Sequence, residues 1–197
     1  MSKPKIGIVI GSTREGRFAE KPAQWLLELG KKRTGLDFEI VDLRDFPLPF
    51  FGEQGSPAHV GPANEASAWR KKLAELDGFV VLAAEYNHAP TAVLKNALDH
   101  ARSEWVRKPI AYAGYGGVGA ARAIEQLRMV AIEQQMAPIK SAVHILWPDY
   151  MAANNGADLS SMEHLNQAGD AMLADLSWWT IALKNARDAE KSLAKAA

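Results

Sequence analysis

From Gly11 to Arg17 the chain reads Gly-Ser-Thr-Arg-Glu-Gly-Arg, directly after the apolar run Ile6-Gly7-Ile8-Val9-Ile10 and ahead of a helical pattern that opens near Phe18. A loop of glycines, hydroxyls and guanidinium groups between a buried strand and a helix start lets backbone N–H groups and the helix dipole converge on an anion. The spacing Gly11-x-x-x-x-Gly16 matches the beginning of the nucleoside-triphosphate P-loop. However, Arg17 and Phe18 stand where that motif needs Lys and then Ser or Thr, so no hydroxyl is placed to hold Mg²⁺. Hydroxyls and two arginines without a metal ligand suit a terminal phosphate monoester, whose oxygens accept many hydrogen bonds, as in a mononucleotide such as FMN. The competing reading is an ordinary strand-to-helix loop with surface arginines.

Two further loops carry chemistry. Glu85-Tyr86-Asn87-His88-Ala89-Pro90 follows a third apolar run and precedes a helical segment with Leu94-Lys95-Asn96-Ala97-Leu98-Asp99. Polar and aromatic side chains at a strand's carboxyl end can face a flat heteroaromatic ring with carbonyls and ring N–H groups, although Tyr86 and His88 taken singly also read as packed or solvated loop residues. Pro90 suits a helix start. Gly114-Tyr115-Gly116-Gly117-Val118-Gly119 formally matches the G-x-G-x-x-G dinucleotide fingerprint. It follows a fourth strand rather than the first, and Pro138 to Ser141, about twenty residues on, hold no acid for a ribose. Its glycines serve better to let backbone N–H groups approach a ring or a ribityl chain without a Cβ in the way. No Gly-x-Ser-x-Gly elbow occurs, and His59, His88, His100, His144 and His164 show no metal-ligand spacing. The adjacent Asp99 and His100 point to different faces of a helix and read as solvated or capping groups.

Five short apolar runs, at about 5–10, 38–43, 79–84, 109–114 and 141–147, read as strands, with helical patterns between them. Apolar residues recur at spacings of three or four: Trp25, Leu26 and Leu29; Trp69, Leu73 and Leu76; Leu94, Ala97, Leu98 and Ala101; then Ile124, Leu127, Val130 and Ala131 in a segment of about 118–136 that stops before Pro138. A last helix of about 161–195 is expected to start from a Ser160/Glu163 capping box, to carry Leu165, Met172, Leu176, Trp179 and Leu183, and to fray from about Asp188. Strands alternating with helices predict an α/β fold, a flavodoxin-like three-layer sandwich with a five-stranded parallel sheet in the order 2-1-3-4-5. The loops after strands one, three and four then share one site at the switch point. The irregular stretch from Arg44 to about Pro62, with Pro47, Pro49, Phe50, Phe51 and Gly55, reads either as a lid or subunit contact, or as a surface loop with both phenylalanines tucked into the core.

A chain of 197 residues fits one domain spanning 1–197. Lysine plus arginine equals aspartate plus glutamate, 23 against 23, so no global field draws nucleic acid or an acidic membrane. Cysteine is absent, which removes disulfides, thiol nucleophiles and iron–sulfur chemistry, so any electron transfer needs a borrowed cofactor. No apolar stretch reads as a leader or a span, which predicts a cytoplasmic protein.

With three loops in order, the chain resembles the NADPH-dependent FMN reductase family, flavodoxin-like flavoproteins that include quinone, chromate and azo-dye reductases. The resemblance covers about residues 5–147 and rests on Gly11-Ser12-Thr13-Arg14 with Arg17, Asp42-Leu43 leading to Leu48-Pro49, Glu85 to His88 with Leu94-Lys95-Asn96 and Asp99, and Gly114 to Gly119. Ala84 and Ala89 depart from the proline and glycine that often flank the Glu-Tyr-Asn-His segment. The resemblance implies Ser12, Thr13, Arg14 and Arg17 around an FMN phosphate, with Phe18 beside them. It implies Glu85, Tyr86, Asn87 and His88 along the flavin ring, and Tyr115, Gly116 and Gly117 at its other edge. It further implies NADPH or NADH as co-substrate, a small-molecule acceptor (quinone, flavin, azo compound or metal oxyanion), ping-pong turnover, and a homodimer or homotetramer. No side chain is then an obligatory acid or base, because flavin N5 carries the hydride. A one-electron carrier in the manner of flavodoxin, or a flavin-free binding module on the same scaffold, are the alternative readings.

Overall fold

The computed structural model describes residues 3–52 and 66–196. Five parallel strands form the sheet: β1 (Lys5–Ile10), β2 (Asp37–Asp42), β3 (Gly78–Tyr86), β5 (Pro109–Tyr115) and β6 (Ala137–Ile145), in the order β2-β1-β3-β5-β6. A two-residue strand, β4 (Ala89–Pro90), folds back antiparallel on β3 and was not expected; with it set aside, the order is the flavodoxin-like one predicted from the alternation.

The near-continuous apolar strands are buried on both faces, as a covered parallel sheet requires. Ile6, Ile8, Ile10, Val80 and Leu82 pack with α1 (Glu20–Lys31) and α6 (Glu163–Ala196) on one face. On the other, Val9, Val41, Phe79 and Val81 pack with α2 (Ser67–Ala74), α3 (Ala92–Asp99) and α4 (Ala121–Glu133). Register aligns the exits: Ile10 lies beside Leu82 and Asp42, Ala84 beside Tyr115, and Tyr115 beside Ile145, so every loop leaving these strands emerges on one edge.

Several local expectations are corrected. β6 begins at Ala137, not near 141, and includes Pro138. An edge strand tolerates proline, and the pairing with β5 jumps from Ile110↔Pro138 to Tyr112↔Ala142 at an irregularity there. Pro90 belongs to β4, and the N-cap of α3 is Thr91, whose hydroxyl accepts from the Leu94 N–H at 3.2 Å. A separate helix, α5 (Trp147–Asn154), follows β6 where the apolar run had been read as strand to 147. The Ser160/Glu163 capping box does not form: Ser160 sits in a 3-10 turn capped by Asp158, and α6 starts after it, at Glu163. Nor does the tail fray, since α6 runs to Ala196 and is fastened by Arg187 to Asp77 (2.7 Å) and by Glu190 to Arg107.

Phe50 is exposed rather than tucked into the core, whereas Phe51 is half-buried and meets the His100 ring edge-on at 5.3 Å. Asn96 and His100 pin this segment by donating to the Pro49 carbonyl, each at 2.8 Å, and Asn96 accepts from Phe51 N–H. His100 is therefore a buried anchor, not a solvated group. The remainder of the 44–62 stretch, from 53 on and including Gly55, lies outside the described residues, as does His59. Among the described residues, no helix is long and apolar enough to cross a membrane.

Candidate functional site

The loop after β1 is held from behind. Gly11 donates to the Leu82 carbonyl at 3.1 Å, and a Cβ there would come within 2.6 Å of that oxygen, so the close approach requires glycine. Thr91 donates to the Gly11 carbonyl at 2.5 Å, tying the loop to the start of α3. Arg17 is buried, with Nη1 donating to the Ser12 carbonyl (2.5 Å) and to Asp42 Oδ1 (2.7 Å), while Nη2 closes the fork on Asp42 Oδ2. Asp42 can be reached because register sets it beside Ile10, immediately before the loop. Burial pushes the Asp42 carboxyl up, but hydrogen bonds from Arg17 and from the Arg44 N–H outweigh it and hold the carboxyl below its ordinary range. Arg44 adds a second brace, donating to the Arg14 carbonyl at 2.6 Å.

What remains free faces outward. The Arg14 guanidinium has no partner among the described residues, and the N–H groups of Thr13, Glu15 and Gly16 donate none of the loop's internal hydrogen bonds. The Arg17 Nε–H is buried without an acceptor, 3.4 Å from Glu20 Oε1. Ser12 is buried, its hydroxyl taking the Arg14 N–H and lying 3.3 Å from the Tyr86 hydroxyl, whereas Thr13 is exposed.

At the end of β3, Tyr86 pairs with Ala89, and Asn87 and His88 both adopt positive φ (52° and 69°), the signature of a two-residue type I′ hairpin. Glu85 does structural work. Ala120, at the N-cap of α4, offers no side-chain cap, and the Glu85 carboxylate supplies one by accepting from the N–H groups of Arg122 (3.1 Å) and Ala123 (3.2 Å) and from Arg122 Nε (2.5 Å). Burial raises the Glu85 carboxyl, but these donors prevail and hold it below its ordinary range. Arg122 also reaches His88 Nε2, with its Nη1 at 2.7 Å.

In the loop after β5, two glycines are packing requirements. A Cβ on Gly114 would lie 2.3 Å from the Gly119 carbonyl, and Gly119, at φ +59°, would drive one into His144 at 2.7 Å. Gly116 and Gly117 are different: nothing lies within 4 Å of a Cβ at either, and the same is true of Gly16 across the cleft.

These loops line one cleft of about 310 Å³, at the lower end of the ~300–1,000 Å³ usual for small-molecule sites. Of the residues singled out from sequence, Arg14, Arg17, Phe18, Glu85, Tyr86, Tyr115, Gly116 and Gly117 line it; Ser12, Thr13, Asn87 and His88 do not. Sequence reasoning missed Trp147 and Tyr150 of α5, which form its remaining wall. Their rings stack at 5.2 Å and 13°, Tyr150 meets Phe18 at 4.5 Å, and Phe18 meets Tyr115 at 5.2 Å. The signal was present as Trp147-Pro148-Asp149-Tyr150, a proline-started helix with aromatics three apart, but it adjoined an apolar run and was absorbed into the strand.

The cleft suits a phosphorylated planar ring. Unpartnered N–H groups, a free guanidinium and the orphaned Arg17 Nε–H gather at the β1 loop, while the Cβ positions of Gly16, Gly116 and Gly117 are open for a ligand's close approach. Fold and cleft thus define a flavodoxin-like protein with a mononucleotide-sized cleft at the switch point. Comparison with known proteins narrows the class. The sequence profile of the NADPH-dependent FMN reductases matches residues 4–146. An NAD(P)H-dependent FMN reductase of Schizosaccharomyces pombe is 40% identical over 145 residues, covering 71% of this chain and 72% of that one. A 2-hydroxy-1,4-benzoquinone reductase of a Burkholderia species is 35% identical over 133 residues, covering 64% and 69%. The structure of the flavoenzyme NAD(P)H:(acceptor) oxidoreductase FerB of Paracoccus denitrificans superposes with a TM-score of 0.70 at 22% identity, covering 88% of this chain and 97% of that one. The chain belongs to the NADPH-dependent FMN reductase family: it is a flavoprotein oxidoreductase whose cofactor is FMN and whose reductant is a reduced nicotinamide nucleotide.

Proposed function

We propose that the cleft binds FMN with its phosphate on the β1 loop and its ring toward Tyr86, Gly116 and Gly117, and that nicotinamide and acceptor use the cleft in turn, in a ping-pong cycle. One observation carries this reading: the free Arg14 and Gly16, whose N–H is unpartnered, line one cleft together with the open positions of Gly116 and Gly117 and aromatic walls. When bound, FMN supplies the hydride chemistry itself. The protein's residues bind and orient. Arg14 supplies charge to the phosphate, and the N–H groups of Thr13, Glu15 and Gly16 supply directed donors. Arg17, committed to Asp42, fixes the loop's shape. Ser12 links the loop to Tyr86, and Glu85, by capping α4, fixes the spacing between the hairpin and the glycine loop. The hairpin residues Asn87 and His88 shape the ring's surroundings without lining the cleft.

The net reaction is NAD(P)H plus a proton plus a quinone giving NAD(P)⁺ plus a hydroquinone. Two electrons pass to the acceptor, which gains two protons in all. The benzoquinone reductase relative supports a quinone as acceptor. We further assign a homodimer or homotetramer acting in the cytoplasm, where reduced nicotinamides are supplied.

The test is the visible spectrum of the purified protein before and after FMN, then anaerobically with NADPH. Flavin bands that bleach with NADPH support the reading. Bound flavin that stays yellow would indicate an electron carrier instead, and a protein that stays colourless with FMN would refute the cleft assignment.

A further inference from the structure

We infer that Trp147 of α5 is the platform for the electron acceptor, and that it selects planar uncharged conjugated rings, quinones in particular, over anionic acceptors; this rests on the FMN reading above. The cleft's aromatic wall is graded. Phe18 and Tyr115 are buried at 6% and 7% exposure, Tyr150 is half-buried, and Trp147 at the lip is 52% exposed. Tyr150 backs one face of the indole in a near-parallel stack (13°), so the ring is held flat while the rest of it stays open.

The surface beside Trp147, next to the cleft lining, carries exposed apolar groups. Leu146 precedes it, and Met151, one helical turn on, shares its face; both are exposed, at 48% and 38%. The cleft's two lining cations, Arg14 and Arg17, belong to the β1 loop and not to α5. An anionic acceptor would find its donors there, in the place already assigned to the FMN phosphate. A ring that enters and leaves each cycle is suited by a flat, half-exposed partner such as Trp147.

Rigidity supports the role. Pro148 starts the helix, Lys21 of α1 donates to the Ala153 carbonyl at 2.5 Å, and His164 of α6 lies 3.1 Å from Asp149. The indole is thus mounted on an element fastened to two others, and it lies just beyond residue 146, where the family match ends.

The experiment compares the FMN-loaded native chain with Trp147→Ala and Trp147→Phe, using 2-methyl-1,4-naphthoquinone and ferricyanide as acceptors. Binding of 2-naphthol, which accepts no electrons, is read separately from the perturbed flavin spectrum. The expected result for Trp147→Ala is a fall of about tenfold in the ratio of kcat/KM for the quinone to that for ferricyanide, carried by KM, and a rise of about tenfold in the 2-naphthol Kd. Trp147→Phe should recover most of both, and the FMN Kd should change by less than about twofold in either variant. An unchanged ratio, or a raised FMN Kd with unchanged 2-naphthol binding, would overturn the inference by returning the indole to the cofactor or to no ligand. A changed oligomeric state on gel filtration would overturn it by assigning Trp147 to a subunit contact. Failure of the native chain to bind FMN, or to bleach with NADPH, would show before any variant was made and would refute the underlying reading instead.

Discussion

The two ends of the sheet use their charged groups in opposite ways. At the amino ends of the strands the charges are matched. Asp77 takes Arg187 at 2.7 Å, Lys184 at 3.6 Å and the Lys5 N–H at 3.2 Å; Arg107 meets Glu190; and the buried Lys108 donates to the Leu73 carbonyl at 2.8 Å beside the Phe79 ring. At the carboxyl ends, Arg14 and several N–H groups are left over, and three glycines have open space where a Cβ would point. Satisfied groups hold a structure together, and unsatisfied ones, kept in place by satisfied neighbours, are what a ligand can use.

Arg17 straddles the two regimes and gives the sharpest test. It sits in the binding loop but is paired like a residue of the amino end, and its side chain is 2% exposed against 22% for Asp42. Arg17→Ala should cost about 3 kcal/mol in chemical denaturation, because the Asp42 carboxylate is left without its partner, and it should also weaken FMN binding. A change in only one of the two would show that loop shape and fold stability are separable.

Lys108 tests the amino end. Burial lowers its ammonium to about 8, below the value of about 10.4 for an exposed lysine. Between those values the unfolded chain binds more protons, so this group's contribution makes stability rise with pH there, while below about 8 the full cost of burying the charge is present. Unfolding free energy should gain up to roughly 3 kcal/mol across that window from this group. The difference between native and Lys108→Met denaturation curves should isolate the gain, with FMN affinity unaffected.

Arg14→Ala should weaken FMN binding by about 10- to 100-fold, the worth of one charged hydrogen-bonding partner. The denaturation midpoint of the FMN-free protein should stay unchanged, since the guanidinium has no partner to lose. Asp77→Asn should do the reverse, costing about 1 kcal/mol of stability, as expected for a mostly buried, multiply paired carboxylate, with an unaltered FMN titration.

Much of this contrast was legible in the sequence. The strand runs and helical spacings fixed the layers and strand order because burial on two faces forces near-continuous apolar strands. The β1 loop could be read because glycine, hydroxyl and arginine at a strand-to-helix junction have few other uses. What was not legible depends on register. Sequence shows that Arg17 is a cation, not that Asp42, twenty-five residues on, ends the neighbouring strand within its reach. That Glu85 also caps α4 could not be read, because nothing local says that Ala120 leaves that helix without a side-chain cap. Trp147 and Tyr150 were hidden because an apolar strand running into an aromatic helix has no polar boundary to mark the change.

The most direct measurement is the Kd of FMN and of riboflavin, which lacks the phosphate, for the native protein and for Arg14→Ala, read by flavin fluorescence. Phosphate capture at the β1 loop predicts much tighter binding of FMN than riboflavin by the native chain, and a gap that narrows in the variant while riboflavin affinity holds. Equal affinities in the native protein, or a gap that Arg14→Ala leaves intact, would contradict the assignment of the unpaired carboxyl-end groups to the FMN phosphate.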